Sequence, residues 1–199
     1  MEKCMTDSLW QIQLAIGAGS EQALASLYSL YNRRLHHFAR AITRSPEIAE
    51  EIVEDVFVKL WSNRHTIHDI SNLTVYLYVA VKNRSLNAVA QRAKELLQAP
   101  FDDLAIETGP LAADPYSLLV TAEMMQKMQA AVEALPPRCK MIFKLVREDG
   151  LRHKEVADIL NIAVNTVDVQ MAIAIKKICT ALQVDRVNKH WSDKVSSRE

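Results

Sequence analysis

The run His153-Lys-Glu-Val-Ala-Asp-Ile-Leu-Asn-Ile-Ala-Val-Asn-Thr-Val-Asp-Val-Gln-Met171 decides the fold. It reads as a short helix over 153–160, a tight turn at Asn161-Ile162-Ala163 and the opening of a longer helix. Val156, Ala157 and Leu160 fall on the inner side of the first helix, and Val164, Val167 and Met171 on that of the second. Asn161 tolerates the left-handed backbone that a sharp reversal needs. Ala157 is small where two helices must cross closely. A short helix, a turn of three residues and a longer helix form the geometry that lays the second helix in a major groove. A plain helical hairpin without a ligand satisfies the same periodicity.

Outward from this run the chain reads as helix. Gly150 and Pro136-Pro137 punctuate a C-terminal group at about 115–134, 137–148, 153–160 and 163–182. An N-terminal group begins with Ser8 to Ile16 and stops at Gly17-Ala18-Gly19. Ser20 is an N-cap for the next helix, whose apolar face runs from Ala23 and Leu24 through Leu35 and Phe38. Ser45-Pro46 starts a third, Glu47 to about Trp61, with Ile48, Ile52, Val53 or Val56, and Leu60 at helical spacing. Ser62 to Asn72 is a polar loop, and a fourth helix runs from Leu73 to about Leu97. Between the groups, residues 98–114 hold two prolines, a glycine and four acids with no basic residue, an extended acidic linker. Residues 184–199 read as a polar tail. The expected fold is all-α: two small helical domains, 8–97 and 115–183, joined by that linker.

Composition agrees and excludes. Four glycines and six prolines in 199 residues leave little room for the turns of an all-β fold. Formal net charge is zero, so no global basic field points to nucleic acid. Cys4, Cys139 and Cys179 are widely spaced, without zinc-ligand or disulfide spacing. The N-terminus lacks a signal peptide's layout, and no apolar run approaches the roughly 18 residues of a membrane span. A cytoplasmic protein without metal or cofactor is expected. His65 and His68 lack a third ligand, and His36-His37 are accompanied by no nucleophile or Gly-rich phosphate loop, so no catalytic residue is assigned.

Glu133-Ala-Leu-Pro-Pro-Arg-Cys-Lys-Met-Ile-Phe143, followed by Glu148-Asp-Gly-Leu-Arg-His and the run quoted first, resembles region 4 of extracytoplasmic-function sigma factors of the sigma-70 family. The Leu135-Pro-Pro-Arg-Cys139 wording looks most like sigma factors of Bacteroidetes. The resemblance implies binding to the promoter −35 element, through Asn165, Thr166, Asp168, Val169, Ala172, Ile173 and Lys176, and to the flap of the polymerase β subunit. Arg152 stands where the family has a capping Ser, a loss of about 1 kcal/mol. The outward positions 168, 169, 172 and 173 lack the family's Arg or Lys. Apolar side chains there touch thymine methyls or a protein, and bidentate guanine readout is not open to them.

Upstream, Ala49-Glu-Glu-Ile-Val-Glu-Asp-Val-Phe-Val-Lys-Leu-Trp61 resembles the region 2 segment that binds the β′ clamp helices of core RNA polymerase. Glu51, Glu54 and Asp55 share one helix face at i, i+3 and i+4, suited to a basic partner. Phe57 and Trp61 lie on another face as core anchors. The loop 62–72 corresponds to the one that captures a base flipped from the −10 element, where a polar pocket must offset unstacking. The −10 contacts then fall on Arg64, His65, Asn72, Lys82, Asn83, Arg84 and Asn87. Tyr76 replaces a family Trp, Val79 a frequent Arg, and the helix's basic run is thinned to Arg92 and Lys94, which implies a weaker, less salt-sensitive DNA grip. The linker's Asp102, Asp103, Glu107 and Asp114 suit the path of nascent RNA, or a mere tether. The resemblance further implies a membrane-anchored anti-sigma factor as a partner and no small-molecule substrate. The runner-up is a helix-turn-helix regulator that never binds polymerase.

Overall fold

A computed structural model describes the backbone of residues 2–98 and 122–182, and the side chains of 9–93 and 126–182. The linker (beyond Gln98), the helix start at Asp114-Pro115, the tail and Lys94's side chain lie outside those residues. The described chain holds eight α-helices and one 3-10 helix, and no strand. It falls into two compact units.

The N-terminal unit is built from α1 (Glu2–Gly17), α2 (Glu21–Thr43), α3 (Pro46–Ser62) and α4 (Leu73–Gln98), with the 3-10 helix Arg64–Asp69 between the last two. Its core forms where α2, α3 and α4 pack together. Leu27, Tyr31, Leu35 and Phe38 of α2 are buried, as are Ile52, Val53, Val56, Phe57 and Leu60 of α3 and Leu73, Leu77, Tyr78 and Val81 of α4. Phe38 meets Tyr78 edge to face at 5.3 Å, and Tyr28 meets Phe57 likewise at 5.0 Å. The Tyr31 hydroxyl is bonded to Thr74 Oγ1 at 2.6 Å, which satisfies a polar group the core would otherwise strand.

Helix ends are fixed by local chemistry. At the close of α1, Gly19 is left-handed (φ 91°); its N–H bonds to Ile16 O and that of Ser20 to Ala15 O, a Schellman closure. Ser20 then caps α2 by accepting from Ala23 N, and Ser45 caps α3 by accepting from Ile48 N, with Pro46 at the first helical position. The Ser45 hydroxyl donates to Glu47 and holds that carboxyl below the usual range.

Residues 122–182 carry α5 (Ala122–Glu133), α6 (Pro137–Arg147), α7 (His153–Leu160) and α8 (Val164–Leu182). α8 packs on α5 and α6, burying Val167, Met171, Ala174 and Ile178 along one face. Glu133 ties α5 to α6 by accepting from Lys140 at 2.9 Å and Lys144 at 3.2 Å. The chain turns through 111° between α7 and α8. Asn161 sits left-handed at φ 55°, with the N–H of Ile162 on Ala157 O and that of Asn161 on Asp158 O, a second Schellman closure.

Three sequence expectations change. α1 begins at Glu2 rather than Ser8. The stretch 62–72, read as loop, contains the 3-10 helix, whose polar composition hid its single inward residue, Ile67. Val164 does not face inward but is 43% exposed, because it is the first residue of α8, and Leu160 is half-buried while Ile159 is buried.

Asn161 is exposed, so changes there test backbone alone. Asn161→Val is expected to cost about 1–2 kcal/mol in urea unfolding, since a branched side chain resists the left-handed region, while Asn161→Gly is neutral within about 0.5 kcal/mol.

Candidate nucleic-acid interface

The apolar period of α3 that builds the core forces its acids outward. Glu51, Glu54 and Asp55 are all exposed, as is Glu50, which the sequence reading passed over although Glu50 and Glu54 stand at i, i+4. Burial first, then Glu54 and Glu50, push the Tyr28 phenol above its ordinary range, so the acidic field extends over the α2 side of this face. Asp55 is paired with Arg84 of α4. The sequence reading assigned these two residues to different partners, and the fold joins them. Both are substantially exposed, so the pair adds at most about 1 kcal/mol and either group can exchange its partner.

Beside that pair lies a shallow depression of about 250 Å³ between α3 and α4. Val56 and Ala80 contribute its apolar lining, and Tyr76 its aromatic one. Asn83, Arg84 and Asn87 line it from α4, and Lys59 from α3. The structure thus brings together three of the expected −10 residues. It adds Lys59, which could have been found as the i+4 neighbour of Asp55 on the same helix. Asn72 has a structural task as well: its side-chain oxygen accepts from Val75 N at 3.1 Å at the start of α4.

In the 3-10 segment, His65, Thr66, His68 and Asp69 are exposed and Arg64 is half-buried. The Arg64 guanidinium lies 4.9 Å from the Trp61 ring centroid and donates to Trp61 O at 3.2 Å. Trp61, expected as a core anchor, is only half-buried, whereas Phe57 is in the core. His68 pairs with Asp69 at 3.3 Å. Among the described residues no group of three or more His, Cys, Asp or Glu could hold a metal ion.

In the second unit the outward face of α8 carries Asn165, Asp168, Val169, Ala172, Ile173 and Lys176, all exposed, with Thr166 half-buried. Val169 is 50% exposed and Ile173 38%. Asp168 is not simply an outward acid: its carboxylate meets His153 Nδ1 of α7 at 2.6 Å. The cap lost at Arg152 is compensated in part. Glu155 reaches back to accept from the Arg152 N–H at 2.9 Å, the second half of a capping box without its first. Arg152-x-x-Glu155 carried that signal in the sequence. On the inner side Cys139 is buried and its Sγ contacts Gln170 O at 3.3 Å; burial pushes the thiol up, with Lys177 pulling back.

Residues 27–95 match the pattern described as Sigma-70 region 2, and residues 125–178 match Sigma-70, region 4. The chain is 27% identical over 150 residues to a probable RNA polymerase sigma factor, RfaY, of Xanthomonas campestris pv. campestris. That match covers 73% of this chain and 37% of that protein, so the chain spans well under two thirds of this relative's length. It is 23% identical over 155 residues to the ECF RNA polymerase sigma-E factor of Escherichia coli K12, covering 75% of this chain and 81% of that one. Among solved structures it resembles the sigma factor RpoE in complex with the anti-sigma factor NepR from Bartonella quintana. There the TM-score is 0.60 and identity 22%, covering 81% of this chain and 97% of that one. It also resembles CnrH in complex with the cytosolic domain of CnrY, with a TM-score of 0.53 and 16% identity, over 87% and 96% of the two chains. At such identities the structural likeness is one of fold.

The Lys140 and Lys144 ammonium groups hold the Glu133 carboxyl below its ordinary range, against the effect of burial. A depressed carboxyl stabilises the fold above its unfolded value, about 4.3, and that stability is lost as pH falls through the folded value. Glu133→Gln is therefore expected to lower the urea midpoint at pH 7, with the difference from wild type closing on acidification below about pH 4. A difference independent of pH would contradict the pairing.

Proposed function

Because the chain belongs to the sigma-70 family, with matches to both region 2 and region 4 that together take up more than half of it, we propose that it is an RNA polymerase sigma factor of extracytoplasmic-function type. It brings core polymerase to promoters and holds the melted non-template strand, without catalysing a reaction itself. The observation that carries this reading is the side-by-side placement of an acidic helix face and an Asn- and Arg-lined depression on α3 and α4. A repressor that only docks a helix in a groove has no use for either.

In this reading Glu51, Glu54 and Asp55 meet the β′ clamp helices, with Glu50 extending the face. Arg64, His65, Asn72, Lys82, Asn83, Arg84 and Asn87 meet the −10 element, and Asn72 also sets the start of α4. Asn side chains present a donor and an acceptor to a base edge, and the cations suit phosphates. The α8 face from Asn165 to Lys176 lies at the −35 element, and the second unit also meets the β flap. An anti-sigma factor anchored in a membrane is the partner that would hold the protein inactive. Its site of action is the cytoplasm; no single described helix is long and apolar enough to cross a membrane. The wording Leu135-Pro-Pro-Arg-Cys139 supports a Bacteroidetes-type affiliation.

Purified protein mixed with core polymerase is expected to give promoter-specific run-off transcription. Glu54→Lys should weaken core binding roughly tenfold through like-charge repulsion. Asn83→Ala should leave core binding intact and reduce promoter melting by about tenfold or more, the value of one good base contact. A wild-type protein that binds promoter DNA but not core is the helix-turn-helix regulator instead.

A further inference from the structure

We propose that Gln13 of α1 is a positioning residue that sets the shape of the 3-10 segment Arg64–Asp69, and with it the capture of an unstacked base. The assignment of a task to that segment rests on the sigma-factor reading above; the clamp itself does not. α1 lies outside the residues matched to region 2, which begin at 27.

Gln13 is a polar side chain only 4% exposed. Its amide nitrogen donates to Ile67 O at 2.5 Å and to Ile70 O at 2.9 Å. An amide NH2 has two hydrogens, and these two carbonyls use both. Ile67 O also receives the N–H of Ile70 at 3.1 Å, so Gln13 grips the last turn of the 3-10 helix at both of its ends.

The segment needs such a grip. It is six residues long, whereas 3-10 runs beyond three or four residues are uncommon because their hydrogen bonds are poorly aligned. Besides its own backbone bonds, Thr66 returns its N–H and its hydroxyl to Asn63 O at the segment's start. Only Ile67 points inward, at 1% exposure, and it packs where α1 ends. A Cβ built on Gly17 would stand 3.3 Å from Ile67 Cγ2 and 3.6 Å from Arg64 O. Glycine there permits a closer approach than most side chains allow. One hydrophobic plug and one bidentate amide therefore fix the backbone, while His65 and His68 are left exposed and Arg64 half-buried against Trp61. A base-capturing surface made of three long side chains on an unsupported loop would lose its register. Preorganisation by α1 removes that cost from the binding step.

The test is hydrogen exchange on the full-length free protein, followed by binding of its holoenzyme to a labelled single-stranded −10 oligonucleotide. Gln13→Met keeps the length of the side chain and removes the donor. The Ile70 amide is expected to exchange about tenfold faster, and affinity for the single strand to fall by about tenfold, the equivalent of one or two lost hydrogen bonds. Core affinity should be unchanged. Gln13→Leu repeats the measurement should the methionine variant unfold. Unchanged exchange over 64–70 overturns the clamp. So does a loss of core affinity in step with strand affinity, which marks Gln13 as a general stability residue. If wild type does not bind core, the sigma-factor reading fails, and the exchange experiment still decides whether the clamp exists.

Discussion

The mutual packing of α2, α3 and α4 is the contact on which the N-terminal unit depends. Ile52, Val53, Val56, Phe57 and Leu60 are buried in it, and removing one large aliphatic side chain from such a core costs about 2–5 kcal/mol. Because a helix has only one set of inward positions, filling them leaves Glu50, Glu51, Glu54 and Asp55 with nowhere to go but solvent. The same burial sets α3 beside α4 and brings Asp55 onto Arg84. Core and surface are thus one decision: the register that satisfies the apolar residues also places the acidic face and the Asn-lined depression side by side.

A chain with four glycines must stop its helices by other means as well, and this one divides the work. Gly19 and Asn161 take the left-handed position after α1 and α7, and Arg44 takes it after α2 despite its Cβ. Ser20, Ser45 and Asn72 then start the next helices from within two or three residues. Closures this short leave consecutive helices little freedom of angle. The 111° turn from α7 to α8 is set in this way, by backbone bonds from Asn161 and Ile162 rather than by any bulky contact in the turn.

Those features were largely legible in the sequence, because caps and apolar periods act over a few residues. The ends of α2, α3, α6, α7 and α8 follow from Ser20, Ser45-Pro46, Pro136-Pro137, Gly150 and Asn161. What stayed hidden was anything requiring a partner far along the chain. Gln13 reads as one more polar residue of an amphipathic helix; its two acceptors lie 54 and 57 residues away. The 3-10 helix reads as loop because its hydrogen bonds leave no apolar period. Asp55 and Arg84, 29 residues apart, read as two unrelated surface charges. His153 and Asp168 were each visible, but their pairing depends on the crossing of α7 and α8. Arg152 reads as a lost cap since its side chain cannot accept a hydrogen bond. Its backbone N–H could still receive Glu155.

The His153–Asp168 pair bears on how the α8 face would meet DNA in the proposed role. In that role an acid on the face would meet a backbone of phosphates and, left alone, repel it. Held by His153, Asp168 has one carboxylate oxygen committed to α7. The side chains left at the centre of the face, Val169, Ala172 and Ile173, carry no hydrogen-bonding group, so in the proposed role they would select by shape and by thymine methyls rather than by donor and acceptor pattern. Lys176, one turn further on, can reach a phosphate. In the first unit Arg84 is already engaged with Asp55. In the proposed role, a chain of zero net charge whose Arg84 is paired in this way would neutralise few phosphates by itself. A partner with basic groups that draws Asp55 away would return Arg84 to the DNA side, and the acidic face of α3 is where such a partner would sit. Binding to that partner and binding to the strand would then reinforce each other through one shared ion pair.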